Sequence, residues 1–223
     1  MTDAVIECVA PGDEGVAVLT LARPDKRNAL SIALRDAMCG ALDGWALDET
    51  CRAVVITGAG AVFSAGFDLE EFTKPELADE LWASSDRWHR TILEFPLPIV
   101  VAVNGAAYGG GFDLAVMCDL RVGADSAVFA HPEHTFAQVV YGPLHELVGG
   151  AVARDLALTG RRIDAAEAHE LGLLSRVVPT EQVLEAAHGI ATEIASAPRD
   201  LLLTMKAKIV RCAGIKPGAT LDL

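Results

Sequence analysis

The chain has 223 residues, 52% of them hydrophobic and 22% charged, a globular composition that excludes a disordered or low-complexity polymer. This length suits one generous domain or at most two small ones, and buries roughly 70–75% of its unfolded surface without a disulfide or metal staple. Lys and Arg number 18 against 31 Asp and Glu, a net charge of −13 with no basic stripe, so no nucleic-acid partner is expected. The five cysteines, Cys8, Cys39, Cys51, Cys118 and Cys212, are widely spaced with no C-x-x-C pair, which reads as reduced thiols in a cytoplasmic setting. Residues 1–10 carry Asp3 and Glu7 and no basic segment, so they do not read as a signal peptide.

In chain order, residues 5–9, a turn at Pro11-Gly12-Asp13 and residues 16–21 predict a hairpin. Ser31 predicts a cap for a helix carrying Leu34, Met38, Leu42 and Trp45 at helical spacing. Residues 53–57 are wholly apolar and predict a strand buried on both faces. Residues 75–93 predict a helix with Leu77, Leu81, Trp88 and Ile92 on one side. Residues 95–112 carry no charge, but Pro96, Pro98, Gly105 and the run Gly109-Gly110-Gly111 argue against a membrane span. They read as a buried strand at 99–103, a glycine loop, and a helix opening near Gly110 or Gly111 and ending near Met117. Short strands are expected at 120–122 and 128–130. From Pro143 the chain reads as mostly helical. Thr180 is expected to cap a helix bearing Val183, Leu184, Ala187, Ile190 and Ile194, and Pro198 to open a last helix over 199–210. Strands alternating with helices predict an α/β domain with a mainly parallel sheet.

Two glycine loops follow the two buried strands, one over Phe63-Ser64-Ala65-Gly66-Phe67-Asp68-Leu69 and one over residues 104–114. Both fall beyond the carboxyl ends of their strands, where open α/β sheets place ligands. The helix opening at the glycine run presents free N–H groups and a positive dipole end, suited to a phosphate or a developing oxyanion. The same glycines also serve tight packing of helix against strand, and spacing leaves both readings open. Gly58-Ala59-Gly60 lacks the third glycine of a dinucleotide fingerprint. Ser64 lacks a G-x-S-x-G context, and no P-loop occurs. His131-Pro132-Glu133-His134 has no metal-ligand spacing, and its histidines read as ordinary polar residues.

The loops in combination resemble the enoyl-CoA hydratase/isomerase (crotonase) family. The resemblance starts at Arg23-Pro24-Asp25-Lys26-Arg27-Asn28-Ala29-Leu30 and runs through both glycine loops. It ends in residues 158–168 and 172–179, and so covers almost the whole chain. It implies a crotonase-like α/β fold, a spiral of repeated ββα units over residues 1–142. A helical segment of the same domain, 143–223, would follow, shortened beside the family near Leu221-Asp222-Leu223.

By the same resemblance, the backbone N–H groups of Phe67 and Gly110 would grip the carbonyl oxygen of an acyl-CoA thioester. Losing one donor from such a hole costs about 3–4 kcal/mol of transition-state stabilisation. Asp113, and Glu133 twenty residues further on, match the two acidic positions of the hydratases. Asp113 would be kept charged by the helix dipole, while apolar walls would raise the pKa of Glu133. Arg23 and Arg27 are candidates for the phosphates of CoA, and the backbone at Ser64 and Ala65 for its adenine. No metal or redox cofactor is implied, because CoA is part of the substrate. The partners implied are an acyl-CoA thioester and further copies of the chain in a trimer or dimer of trimers, with no membrane partner.

The sequence also departs from the family. The hydratases carry Glu at the first acid, and Asp113 with Glu133 matches the dienoyl-CoA isomerases instead. Those enzymes use a further Asp eight residues on, where this chain has Tyr141. The family's I-P-G-x-G-G stretch reads Val139-Val140-Tyr141-Gly142-Pro143-Leu144 here. Three readings stay open at this point: a hydratase, a double-bond isomerase, and an acyl-CoA-binding protein without activity.

Overall fold

A computed structural model describes residues 4–215. The expected ending at Leu221-Asp222-Leu223 lies outside the described residues, as do residues 1–3 of the N-terminal segment. Strands β1 (Ile6–Val9) and β2 (Val16–Leu21) form the predicted hairpin, with Ile6 opposite Leu21 and Val9 opposite Val18. Helix α1 (Ile32–Leu47) is capped as predicted, Leu34 N–H donating to Ser31 Oγ at 3.2 Å. Its Leu34, Met38 and Leu42 are fully buried.

The chain then repeats one pattern. β3 (Ala53–Gly58) is followed by β4 (Val62–Ser64) and helices α2 (Leu69–Phe72) and α3 (Ala78–Glu94). β5 (Ile99–Val103) is followed by β6 (Ala106–Tyr108) and α4 (Gly110–Met117). β7 (Leu120–Ala124) is followed by β8 (Val128–Ala130) and α5 (Gly142–Thr159), which is broken at Gly149. In each unit the longer strand enters a six-stranded sheet ordered β1-β2-β3-β5-β7-β10, with β10 at Arg176–Val178, and the short strand enters a second sheet ordered β4-β6-β8-β9, with β9 at Ile163–Asp164. Except for the β1–β2 and β8–β9 pairs, the strands run parallel. This is the α/β spiral of ββα units that the resemblance implies.

The remaining elements are β9 (Ile163–Asp164), α6 (Ala165–Glu170), β10 (Arg176–Val178), α7 (Val183–Ala195) and α8 (Arg199–Ala213). The segment after Pro143 is mostly helical as expected, with two short strands added: β9 closes one edge of the small sheet and β10 one edge of the large one. One expectation is corrected here. Thr180 does not cap α7; its hydroxyl donates to Asp125 Oδ1 at 3.0 Å and pairs with Ser126 Oγ at 2.8 Å.

The inner strands of the large sheet are covered on both faces, to which successive side chains alternate. Val16, Val55, Val100 and Ala102 pack against α7, whose Ala187, Ala191 and Ala195 let the helix lie close to the sheet. Leu19, Val54, Ile56 and Val101 face the other way, into the larger core with α1 and α3 residues such as Leu34, Trp88 and Ile92. Among the described residues no helix is long and apolar enough to cross a membrane. The two glycine loops do not leave β3 and β5 directly: each carries a short strand, β4 or β6, and because these pair in parallel the turns after them, at Gly66 and Gly109, lie side by side and place the site.

Candidate active site

The opening motif, residues 23–30, clamps the first glycine loop. Asn28 is fully buried, and its Nδ2 donates to Ala59 O at 2.9 Å and Val62 O at 2.8 Å while Oδ1 accepts from Arg23 N–H. Arg23 Nη1 donates to Ala29 O at 2.6 Å and Nη2 to Asp68 Oδ2 at 3.0 Å. The Arg23 guanidinium is thus held within the fold's own network, while Arg27 is exposed on a turn with φ 52°. Ser64 is buried, its hydroxyl donating to Asn28 O and accepting from Gly66 N–H. Ala65 N–H donates to Arg27 O at 2.9 Å. Of this pair Ala65 reaches the site cavity and Ser64 supports the loop from behind.

Leu30 N–H donates to Gly66 O at 2.8 Å and Asp68 N–H to Leu30 O at 3.4 Å, a parallel bridge. Successive N–H groups of extended backbone face opposite edges, so the N–H of Phe67 points away from Leu30. Gly66 has φ +88°, and a Cβ there would lie 3.1 Å from Gly110 N and 2.7 Å from Tyr108 O. Only glycine lets the two loops approach this closely. Gly110 is the first residue of α4, so its N–H has no acceptor within the helix. The Phe67 ring is fixed edge-on to Trp88 at 6.0 Å and beneath the Arg35 guanidinium at 4.8 Å. Arg35 is itself buried and donates to Leu30 O at 2.6 Å.

Phe67, Gly110, Asp113 and Glu133 all line one cavity of about 600 Å³, walled by apolar side chains including Leu69, Phe72, Trp82 and Val140. Val140, from the stretch that departs from the family pattern, reaches this wall, whereas Tyr141 sits at the start of α5 beside His145. Asp113 lies in the first turn of α4 and is 4% exposed. Glu133 lies in a tight turn opened by Pro132 and faces Gly109, where a Cβ would meet its two oxygens at 3.1 and 3.2 Å. Burial pushes the Glu133 carboxyl above its ordinary range, and Asp113 adds to the rise while His131 opposes it.

The sequence marks His131 only as one of two histidines without metal-ligand spacing. It is fully enclosed, stacks on Phe112 at 4.6 Å, and its Nε2 lies 2.8 Å from Asp113 Oδ1. This corrects the reading of His131 as an ordinary polar residue. Burial opposes its protonation, but the hydrogen bond to Asp113 and the charges of Asp113 and Glu133 outweigh burial and raise its pKa. Asp113, His131 and Glu133 hold polar atoms within 4.8 Å of one another, the one such group of three among the described residues. The 2.8 Å contact is a hydrogen bond between imidazole and carboxylate, so the chemistry on view is proton handling.

Comparison with known proteins agrees with this architecture. The family model described as Enoyl-CoA hydratase/isomerase matches residues 12–219. A protein of Rhizobium meliloti (strain 1021) named "Probable enoyl-CoA hydratase" is 39% identical over 186 residues, 81% of this chain and 72% of that protein. The 2,3-dehydroadipyl-CoA hydratase of Escherichia coli (strain K12) is 35% identical over 194 residues, 85% of this chain and 76% of its own. The crystal structure of an enoyl-CoA hydratase from Bacillus anthracis superposes with a TM-score of 0.89 at 32% identity, covering 96% of this chain and 85% of that one. Sequence, fold and paired glycine loops therefore agree that the chain belongs to the enoyl-CoA hydratase/isomerase family.

Proposed function

We propose that the protein adds water across the 2,3 double bond of an enoyl-CoA thioester. The observation that carries this reading is the single cavity shared by Phe67, Gly110, Asp113 and Glu133. The thioester oxygen sits between the N–H groups of Phe67 and Gly110, and the α4 dipole favours the charge that develops there. Asp113 accepts a proton from water as its oxygen bonds to C3. The π electrons of the double bond move to the thioester oxygen, giving an enolate. Glu133, held protonated more readily by its buried setting, delivers its proton to C2. One O–H bond of water and the carboxylic O–H of Glu133 break, and C3–O, C2–H and a new O–H on Asp113 form. The protons re-equilibrate through solvent after product leaves. No resident cofactor enters these steps, since CoA arrives with the substrate.

Arg27, exposed at the loop mouth, is the better placed arginine for a CoA phosphate, because Arg23 is engaged by Asp68. The five cysteines are free thiols, which supports a reducing compartment such as the cytoplasm. The trimer or dimer of trimers implied by the resemblance is checked by sedimentation equilibrium, which should return three or six times the 23.5 kDa of one chain.

Glu133→Gln is expected to lower crotonyl-CoA hydration by about 10²–10⁴-fold, the usual contribution of a general acid–base group. Unchanged turnover would remove Glu133 from the mechanism. A second reading, double-bond isomerisation, is favoured by Asp113 being partly engaged by His131, which leaves Glu133 as the one unencumbered carboxyl. Incubation with 3-enoyl-CoA and 2-enoyl-CoA in heavy water separates the two readings. A 3-hydroxyacyl product marks hydration, and deuterium in a shifted enoyl product marks isomerisation.

A further inference from the structure

The second carboxylate of the site is not alone. Asp113 Oδ1 is bound by His131 Nε2 at 2.8 Å, so Oδ2 is the oxygen left to meet a substrate water. His131 sits 1% exposed behind the cavity wall and is absent from the residues that line the cavity. Its ring is clamped on Phe112 of α4, the residue next to Asp113, and its Nδ1 has no hydrogen-bond partner. The imidazole therefore has one hydrogen-bond partner, Asp113. Asp113 reaches it from α4, Glu133 and His134 from the turn after β8, and His89 of α3 lies beyond Asp113 within reach of its charge.

We infer that His131 is a positioning residue, whose hydrogen bond to Oδ1 of Asp113 turns Oδ2 toward the substrate water and leaves Glu133 as the carboxyl that delivers a proton. This assignment rests on the acyl-CoA reading above. The physical argument is geometric. A side chain shorter than the family's glutamate has less reach, so its orientation must be set from behind, and the buried ring stacked on Phe112 sets it. The imidazole also opposes the rise that burial and Asp113 impose on the Glu133 carboxyl.

The first test uses the unmodified protein. Imidazole ¹⁵N–¹H correlation spectra should show the proton on His131 Nε2 shared with Asp113, and in Asp113→Asn the His131 titration should move down. A His131 Nε2 resonance and titration that are unchanged in Asp113→Asn overturn the inference whether or not any enoyl-CoA is turned over. The second test is kinetic. His131→Gln should lower kcat at least about tenfold, less than the 10²–10⁴-fold due to a group that itself transfers the proton. KM should stay within twofold to threefold, because the ring does not touch the cavity. The pH inflection belonging to Glu133 should move upward once the imidazole is gone. A His131→Gln pH profile that coincides with the parent's overturns the inference. Wild-type protein that forms no product from any enoyl-CoA, yet whose His131 titration responds to Asp113→Asn, sinks the acyl-CoA reading and leaves the positioning pair standing.

Discussion

Gly109 has φ +51°, and a Cβ at this position would press on the Glu133 carboxyl at 3.1–3.3 Å. Gly109→Ala should therefore both strain the backbone, by about 1–3 kcal/mol, and push the carboxyl from its place. The expected result is a kcat loss far larger than the shift in Tm suggests, read by steady-state kinetics beside thermal melts. Equal kcat in parent and variant would show that Glu133 need not face Gly109 during turnover. The pH dependence of stability is a second residue-level consequence. His131 has its folded-state pKa raised, so its contribution is complete below its ordinary value of 6.5 and is lost as pH rises through the folded value. Glu133 is raised too, and its contribution fades in the same direction from its ordinary value of 4.5 upward. Thermal melts across this range should show stability falling with rising pH. In His131→Gln the portion beginning at 6.5 should disappear while the portion beginning at 4.5 remains. Asp113 and Glu133 were legible in the sequence through the family's motif positions. The role of His131 was not, because its contact with Asp113 spans 18 residues and nothing in the His131-Pro132-Glu133-His134 spacing marks it.

At the scale of elements, the site depends on how the residue 23–30 turn holds β3 and β4. Asn28 adopts φ 53° and bonds Ala59 O, Val62 O and Arg23 N–H. Asn28→Ala keeps the strained backbone and leaves three partly buried groups without their partner. A loss of about 2–3 kcal/mol is expected from urea unfolding, near the lower end of about 1–3 kcal/mol for each unsatisfied group because water reaches part of the site. A loss under about 1 kcal/mol would mean that water replaces the amide. Long elements were readable in advance because burial imposes a period on them: α1, α3, β3 and β5 each carry an unbroken apolar pattern. The short strands β4, β6 and β9 have two or three residues, too few for alternation to register, and they lie inside or next to turn residues. They became visible only through their partners in the second sheet, which are distant in sequence. Thr180 failed as a cap for a similar reason: Asp125 and Ser126, far away in the chain, compete for its hydroxyl.

For the molecule as a whole, the question is how the C-terminal helices are fastened to the sheet that carries the site. One fastening is ionic. Lys206 of α8 is 4% exposed and its Nζ lies 2.7 and 2.6 Å from the two oxygens of Asp119, which also accepts from Ile99 N–H at the start of β5. The pair thus links the last helix to the central strand of the large sheet. Replacing Lys206 by Met preserves most of the apolar stem and removes the charge, leaving Asp119 with the Ile99 N–H alone. Breaking a buried pair on one side costs about 3–5 kcal/mol, and the lower end applies because the Asp119 side chain keeps 15% exposure. The double variant Lys206→Met with Asp119→Asn removes the stranded charge as well. It should unfold at a higher urea concentration than Lys206→Met alone, although two substitutions have been made. Single and double variants as stable as the parent would mean that α8 is held by its apolar face and that the ion pair adds nothing. Turnover should be unchanged in both, because α8 contributes no residue to the cavity where Asp113 and Glu133 meet.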